Sequence, residues 1–488
     1  MNRRLCIIIA LCALLPAKGN AQDPYEEFKK QALEEYSQFS DQVRKEYASF
    51  RDQANAEYAR FMQEPWPKAD LNSPEPVPDR PEPVDPPVKT DPDKKRRPEE
   101  IPYDEVIPLP DRTPAPQPVE PIVPPPAPVV STFDFDFYHT KCTVSLSPEQ
   151  KFTLSQIDEQ SVSEAWTMLS QNSYNNLIID CLRLRDELNL CDWAYVILLQ
   201  RLTESYFGSA WSSEAALMQM YILTQSGYKV RIARAGTRLV LLVPSDYTIY
   251  QYRYVYLGGT KFYVLNTSVK ENLYVYDQAF PKEQIFSISM KHAPQLALEV
   301  TPDRVLTSRK YPSVTVRLRT NKNLIDFYND YPLSSNWDAY SRSSLSDEVK
   351  DRLYPVLKSA IAGKSEEEAA NILINFVQTA FEYKTDDEQF GYERPLFGDE
   401  TIYYPYSDCE DRAILYSILV RELLGRSVVL LYYPGHLATA VQFSTDIQGD
   451  YLMVNGTKYV ICDPTYIGAP IGEAMPSYKN TKCTVIYI

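Results

Sequence analysis

The sequence predicts an α+β protein in which helices pack on antiparallel sheets, and it predicts this arrangement twice. The first observation is a helix over residues 409–424, where apolar side chains recur at helical spacing. The second is a group of strand patterns behind that helix, including the run VVLLYYPG and a hairpin whose turn is Asn455-Gly456. The third is a similar succession of helix and strand patterns in the middle of the chain.

The start of the chain has the pattern of a secretory signal peptide over residues 1–21. Arg3 and Arg4 precede an apolar stretch, and small residues surround a cleavage position at Gly19-Asn20-Ala21. We therefore expect an exported protein in the periplasm or the extracellular space, soluble or associated with the envelope. No later segment is apolar enough to predict a transmembrane helix.

Charge and histidine content exclude some classes of function. The net charge of −15 argues against nucleic acid as a partner. The three histidines of the chain make a multi-histidine metal site improbable, and no cofactor or metal is predicted.

Residues 22–64 contain an eleven-residue repeat in which each unit begins Tyr-x-x-Phe. This period predicts one long helix with a slowly winding apolar stripe, roughly 60 Å in length. Three uses of the stripe stay open: self-association through residues 25–64, contact with a partner helix, and packing back on the globular part of the chain.

The next segment, residues 65–130, is rich in proline and predicts an extended, disordered linker. The globular part follows it. We divide that part into a middle domain at 131–310 and a C-terminal domain at 311–488.

Cys409 lies at the predicted start of the C-terminal helix. Ser407 and Glu410 have the spacing of a capping box, and Gly425 predicts the end of the helix. Unpaired amides and the positive end of the helix dipole stabilise a thiolate at such a position. A small buried residue or half of a disulfide are the alternatives.

His436 and Asp463 complete a candidate catalytic triad with Cys409. His436 opens one predicted strand, and Asp463 ends a later one. A thiolate can attack a carbonyl carbon, an imidazole can move the proton, and a carboxylate can orient the imidazole. The three residue types in this order therefore predict nucleophilic catalysis.

The segment CEDRA at 409–413, then His436, then DPT at 463–465, resembles the C-x-D-x-A, H and D-P-T pattern of the transglutaminase-like superfamily. These are papain-related cysteine enzymes with a helix packed on an antiparallel sheet. The resemblance covers about residues 370–470. It implies that Cys409 is the nucleophile, His436 the general base and acid, and Asp463 the group that orients it.

The resemblance also implies an oxyanion site made from the backbone N–H of the nucleophile and a side-chain donor upstream. Gln378 is the candidate donor, and a solvated helix face is the other interpretation of this residue. Many members have tryptophan two residues after the histidine, whereas this chain has Ala438. That departure leaves the substrate open.

The middle domain resembles a degenerate second copy of the C-terminal one. Ser213, Arg238 and Asn266 fall at the three positions of the triad, in that order. Arginine cannot act as a base at neutral pH. We therefore expect a supporting or substrate-binding role for this copy.

These observations predict an exported cysteine hydrolase that acts on amide or peptide bonds through an acyl-thioester on Cys409. The partner would be a protein or peptide substrate, and cell-wall peptides are one class of it. A protein-crosslinking transglutaminase and a non-catalytic cell-envelope binding or scaffold protein are the alternatives. Two candidate disulfides, Cys181–Cys191 and Cys462–Cys483, are compatible with export, but spacing does not fix connectivity.

Overall fold

A computed structural model describes residues 22–79, 85–90, 97–109, 116–118, 122, 131–334 and 336–488. The predicted signal peptide, residues 1–21, lies outside the described residues. Helices and largely antiparallel sheets make up the described chain, so the predicted α+β class is confirmed.

The eleven-residue repeat forms one continuous helix, α1 (Gln22–Met62). Its last turns pack on the middle of the chain, where Asn55 and Gln225 exchange two side-chain hydrogen bonds of 3.3 and 2.9 Å. Nearer its start, Leu33 and Tyr36 are 59% and 69% exposed. Packing back on the globular part therefore accounts for the last turns, and self-association through the remainder stays a prediction. Within the described residues, no helix has both the length and the apolarity needed to cross a bilayer.

Parts of the proline-rich segment are bound to the globular halves, which corrects the prediction of a disordered linker for the described residues. Strand β1 (Lys68–Ala69) joins the edge of one sheet, and β2 (Tyr103–Ile107) joins the edge of another. Val88 forms a further bridge to Ile467. Both strands lie where the sequence is free of proline, so their N–H groups can pair, and an edge strand needs partners on one side only.

The first globular half places a hairpin and four α-helices before a six-stranded sheet. Its elements are β3 (Phe133–Phe137), β4 (Thr140–Val144), α2 (Glu159–Leu169), α3 (Asn175–Glu187), α4 (Asp192–Phe207), α5 (Ser213–Gln225), β5 (Arg231–Ala235), β6 (Arg238–Pro244), β7 (Tyr254–Leu257), β8 (Thr260–Val264) and β9 (Leu273–Tyr276). The order in the sheet is β1-β9-β5-β6-β8-β7, and all neighbours are antiparallel.

The second half begins with another hairpin and ends with a second six-stranded sheet. Its elements are β10 (Arg304–Thr307), β11 (Thr315–Leu318), α6 (Lys322–Asn329), α7 (Trp337–Ser341), α8 (Asp347–Ile361), α9 (Glu366–Ala380), β12 (Glu382–Tyr383), α10 (Asp386–Gln389), α11 (Gly398–Tyr403), β13 (Tyr406–Ser407), α12 (Cys409–Leu424), β14 (Ser427–Tyr433), β15 (His436–Gln442), β16 (Tyr451–Val454), β17 (Thr457–Cys462) and β18 (Cys483–Tyr487). The order is β16-β17-β15-β14-β18-β2, and only the β18–β2 pair is parallel.

The two sheets share one strand order. Starting from the last strand of each half, the order β9-β5-β6-β8-β7 in the first sheet matches the order β18-β14-β15-β17-β16 in the second. In each half a helix directly precedes the first hairpin of the sheet. The registers agree as well: Ala235 pairs with Arg238 in one hairpin, and Tyr433 pairs with His436 in the other. Arg238 and His436 therefore occupy equivalent places, each as the first residue of its strand.

Helix α12 lies at the centre of the second half. Every residue from Cys409 to Val420 is buried, so the helix is enclosed on all of its faces. It contacts α9, β15 and β14. Dense packing of this kind holds the first turn of α12 in a fixed place relative to the sheet.

Candidate active site

His436 and Asp463 meet at the end of two neighbouring strands. His436 is the first residue of β15, and Asp463 directly follows β17, which pairs with β15. The Nε2 atom of His436 lies 2.9 Å from Oδ2 of Asp463, and the two side chains are 1% and 3% exposed. The other carboxylate oxygen, Oδ1, accepts the backbone N–H groups of Thr465 at 2.9 Å and Tyr466 at 3.3 Å. Both oxygens of Asp463 are thus fixed, and the imidazole is fixed with them.

Cys409 is the first residue of α12 and is 1% exposed. Its Sγ accepts the backbone N–H of Leu437 at 3.3 Å, which places the thiol against the start of β15, beside His436. The thiol also donates to Oε2 of Glu410 at 3.3 Å. Because Nε2 of His436 faces Asp463, Nδ1 is the ring nitrogen left to exchange a proton with a neighbouring group. The structure therefore brings the three predicted triad residues into one buried region.

The predicted capping box at the start of α12 is wrong. Asp408 is the N-cap residue, and its side chain makes no capping hydrogen bond. The Ser407 hydroxyl accepts instead from Nε of Arg412 at 3.2 Å, because that guanidinium is buried one turn further on. The predicted helix end is confirmed, since Gly425 caps α12 with φ of 65°.

The prediction that Gln378 is an oxyanion donor is also wrong, as is the alternative of a solvated helix face. Gln378 is 2% exposed, and its Nε2 donates to the carbonyls of Asp463, Tyr466 and Ala469 at 3.2, 2.8 and 3.0 Å. Its Oε1 accepts from the N–H of Gly468 at 3.3 Å. The amide hydrogens are already used by backbone carbonyls, so Gln378 holds the loop that begins at Asp463 in place.

Aromatic rings enclose the histidine. The Tyr478 ring stacks on the imidazole of His436 with centroids 4.9 Å apart and an angle of 17° between the planes. Tyr433 packs against Tyr478 at 4.9 Å. With His436 and Cys409 both buried, the site is closed to large molecules in this structure.

Buried acids lie beneath the thiol, and reasoning from the sequence did not find them. Asp386, Asp408 and Glu410 place a carboxylate oxygen each within 4.8 Å of one another. Burial raises the pKa of Asp386 and of Asp408 well above the usual range, and repulsion from neighbouring carboxylates adds to it. The acids on both sides of Cys409 were a visible signal. Asp386 was not, because it comes from the separate helix α10.

The equivalent residues of the first half do not form a triad. The N–H of Leu239 donates to Ser213 Oγ at 3.0 Å, as Leu437 does to Cys409 in the second half. Arg238, however, pairs with Glu271 at 3.3 Å. Asn266 accepts from the backbone and hydroxyl of Ser268 at 3.1 and 2.7 Å. The first half therefore has the same arrangement of helix start and strand, but the arginine at position 238 cannot take a proton from Ser213.

The six described cysteines, which run from Cys142 to Cys483, are all free thiols, so neither candidate disulfide is formed. Cys462 ends β17 and Cys483 begins β18, and two strands lie between these in the sheet. Three strand spacings amount to about 14 Å, well beyond the reach of a disulfide. Cys191 interacts instead with the Tyr331 hydroxyl at 3.0 Å, and Cys181 is buried on α3.

Comparison of the chain with protein-family models, with curated proteins and with solved structures finds no match in any of the three. The functional assignment therefore depends on the residues and geometry of the site. The most specific of these features is the buried pair of His436 and Asp463 beside the thiol of Cys409.

Proposed function

We propose that this protein is an exported cysteine hydrolase of the transglutaminase-like superfamily, and that its second half carries the catalytic site. The observation that carries the proposal is the 2.9 Å contact between His436 and Asp463, buried next to a helix-start thiol. Imidazole, carboxylate and thiol in this arrangement have the roles needed for acyl transfer through a thioester.

In the proposed reaction, Nδ1 of His436 takes the proton of the Cys409 thiol, and the thiolate attacks the carbonyl carbon of an amide. His436 returns that proton to the leaving amine as the C–N bond breaks, which leaves a thioester on Cys409. A water molecule then gives a proton to His436 and attacks the thioester carbonyl; as the C–S bond breaks, His436 passes that proton to the sulfur of Cys409, so the carboxylic acid product leaves and the thiol is restored. Asp463 stabilises the imidazolium in both steps.

The N–H of Cys409 belongs to the first turn of α12, where amides lack partners within the helix. We assign it as one donor to the oxyanion. The substrate class is a protein or a peptide, and cell-wall peptides fit an exported enzyme. Protein crosslinking is the second outcome, in which an amine replaces the water molecule.

The first half is then a degenerate copy of the second, derived by duplication of one domain. The shared strand order supports this, and so does the equivalent contact made by Leu239 and Leu437. Its role would be to support the second half or to bind substrate. A non-catalytic envelope scaffold remains the rival function, and the burial of Cys409 is the observation that favours it.

The test is the rate of alkylation of the purified protein by iodoacetamide as a function of pH. We expect one thiol to react with an apparent pKa well below about 8.5, because a neighbouring imidazolium favours the thiolate. Cys409→Ala should remove this fast phase, and His436→Ala should shift it towards the pH range of an ordinary thiol. Unchanged kinetics in both variants would favour the scaffold function.

A further inference from the structure

A cavity of about 380 Å³ lies between the hairpin β10–β11 and the segment that leads to Cys409. Residues 301, 302, 304 and 318–320 line it on the hairpin side, and residues 402–405 line it on the other side. Its volume falls within the range of small-molecule sites in proteins, about 300 to 1,000 Å³. None of the lining residues belongs to the triad, so the cavity is a separate place on the second half.

Positive charge on the wall of this cavity exceeds the negative charge that meets it. Nε of Arg319 lies 3.4 Å from Oε1 of Glu348, and the same oxygen accepts from Nε of Arg352 at 3.3 Å. One carboxylate therefore serves two guanidinium groups. Among the described residues Arg304 forms no ion pair, and its Nη atoms donate to three backbone carbonyls of the segment 402–405. Burial lowers the pKa of Arg304, as expected for a cation held without a carboxylate.

The wall also offers hydrogen-bond donors that the described protein leaves unused. Within the described chain no guanidinium nitrogen of Arg319 makes a hydrogen bond, since its Nε approaches Glu348 without hydrogen-bond geometry. The hydroxyls of Thr301 and Thr320 lie 3.2 Å apart, so one donates to the other and one hydroxyl hydrogen is left. These threonines are 8% and 1% exposed, and buried donors without an acceptor are unfavourable. A ligand that accepts from these groups would therefore be bound favourably.

We propose that this cavity binds the carboxylate of an acidic side chain, aspartate or glutamate, in a peptide. The planar guanidinium of Arg319 matches a carboxylate through two parallel hydrogen bonds. The remaining threonine hydroxyl hydrogen adds a donor, and the apolar side chains of Leu318 and Ile402 cover the methylene groups of the ligand. One incompletely neutralised guanidinium suits a singly charged carboxylate better than a phosphate group of nearly double charge.

The place of the cavity in the chain connects it with catalysis, and this part of the inference rests on the proposed function. Pro405 lines the cavity, and β13 and then Cys409 follow it directly. Four residues of chain span at most about 14 Å. One extended peptide can therefore reach from the cavity to the thiol, with its acidic residue bound here and its scissile bond a few residues away. The substrate class is then an acidic peptide.

The binding test uses the purified Cys409→Ala protein, which retains the cavity and cannot form a thioester. The probe is N-acetyl-glutamic acid amide, whose only charge is the side-chain carboxylate, titrated by ligand-observed NMR. We expect a dissociation constant of about 1 mM for a ligand of this size. N-acetyl-glutamine amide has the same shape without the charge and should bind at least about tenfold more weakly. Equal binding of the two probes would overturn the site, and tighter binding of inorganic phosphate would overturn its assignment to a carboxylate.

Matched variants locate the carboxylate, once an unchanged midpoint of thermal unfolding shows that each is folded. Arg319→Gln should weaken binding of the glutamic acid probe at least about tenfold, and Arg319→Lys, which keeps the charge without the planar fork, should weaken it less. Arg317→Gln removes the same charge from a side chain that is 69% exposed and pairs with Asp303, so binding should be unchanged. Undiminished binding in Arg319→Gln, or an equal loss in Arg317→Gln, would contradict the proposal.

The cavity and the chemistry can fail separately. Wild-type protein should cleave a mixed peptide library with a preference for aspartate or glutamate within about five residues of the scissile bond. Arg319→Gln should lose this preference and still cleave. Cleavage by the wild type without the preference would overturn the role of the cavity and leave the proposed function intact. Binding of the glutamic acid probe without any cleavage would leave the site intact and refute the proposed function.

Discussion

The two halves of the molecule place different side chains on one scaffold. In both, the N–H that follows the first residue of a strand donates to the side chain that starts the central helix, Ser213 in one half and Cys409 in the other. The contact made by the side chain of the first residue of that strand differs between the halves. His436 is bound to Asp463, whereas Arg238 turns to Glu271.

This difference separates the contacts that the fold requires from those that the proposed chemistry requires. The helix start, the strand order and the N–H contact occur in both halves, so packing alone can maintain them. The imidazole–carboxylate pair occurs in the second half. A half that retains the scaffold without a proton acceptor is a natural internal control for every test of catalysis.

The largest expected effect comes from equivalent substitutions in the two halves. His436→Ala should lower turnover of an amide or aryl ester substrate by at least about 10³-fold, because the proton acceptor is removed. Arg238→Ala, which removes the equivalent side chain and its contacts with Glu271 and Ser268, should change this turnover less than about twofold. Equal losses in the two variants would contradict the assignment of the chemistry to one half.

A smaller effect is expected where a buried glutamine is removed from each half. Gln378→Ala deletes the hydrogen bonds to the loop at Asp463 and should cost about 3 to 5 kcal/mol in urea unfolding. Gln219→Ala deletes two bonds, to Thr203 Oγ1 and the Ala210 carbonyl, and should cost about 2 to 3 kcal/mol.

The two glutamine variants should differ in reactivity as well. Gln378→Ala releases the loop that positions Asp463, so alkylation of Cys409 should slow. Gln219→Ala should leave that rate unchanged, since its bonds lie wholly in the first half. Slow alkylation of Cys409 in both variants would show that global stability, and not the loop after Asp463, controls the reactivity of the thiol.

The smallest effect is the dependence of stability on pH that one buried acid of the second half, Asp399, contributes. Burial raises the pKa of Asp399 to about 6, so the folded protein holds a proton there that the unfolded chain has lost. Stability from this group therefore falls as pH rises from about 4 to about 6, by about 3 kcal/mol in total.

Asp399→Asn should remove this dependence. The free energy of unfolding of the variant, relative to that of the wild type, should therefore increase by about 3 kcal/mol between pH 4 and pH 7. The matched control is Asp180→Asn in the first half. Asp180 accepts from the backbone and hydroxyl of Ser145, as Asp399 does from Ser346, but it is 21% exposed. Denaturant unfolding at several pH values measures both, and parallel pH profiles of wild type and Asp399→Asn would contradict the expectation.

Local patterns in the sequence predicted the elements that hold the triad. Helical periodicity of the apolar residues predicted helix α12. The turn at Asn455-Gly456 has φ values of 51° and 79°, as its residue types predict for a tight hairpin. Cys409, His436 and Asp463 lie at the ends of such elements, so their positions followed from the same patterns.

Features made by distant segments could not be predicted in this way. Gln378 looks like any polar residue of an amphipathic helix until the loop after Asp463 folds against it. Asp386 lies beside Asp408 and Glu410 although it belongs to a separate helix, α10. Strand β2 pairs with β18 from the other end of the chain, and its composition carries no sign of that partner. In each case the partner is fixed by tertiary packing, which single-sequence patterns do not encode.

The most direct test of catalysis by the second half is intact-protein mass spectrometry after brief exposure to p-nitrophenyl acetate. We expect a single acetyl adduct on Cys409, which neutral hydroxylamine removes as it does a thioester. It should be retained in Ser213→Ala and absent from Cys409→Ala and His436→Ala. An adduct that forms equally well without His436, or that resides on Ser213, would contradict the claim that the second half carries the catalytic site.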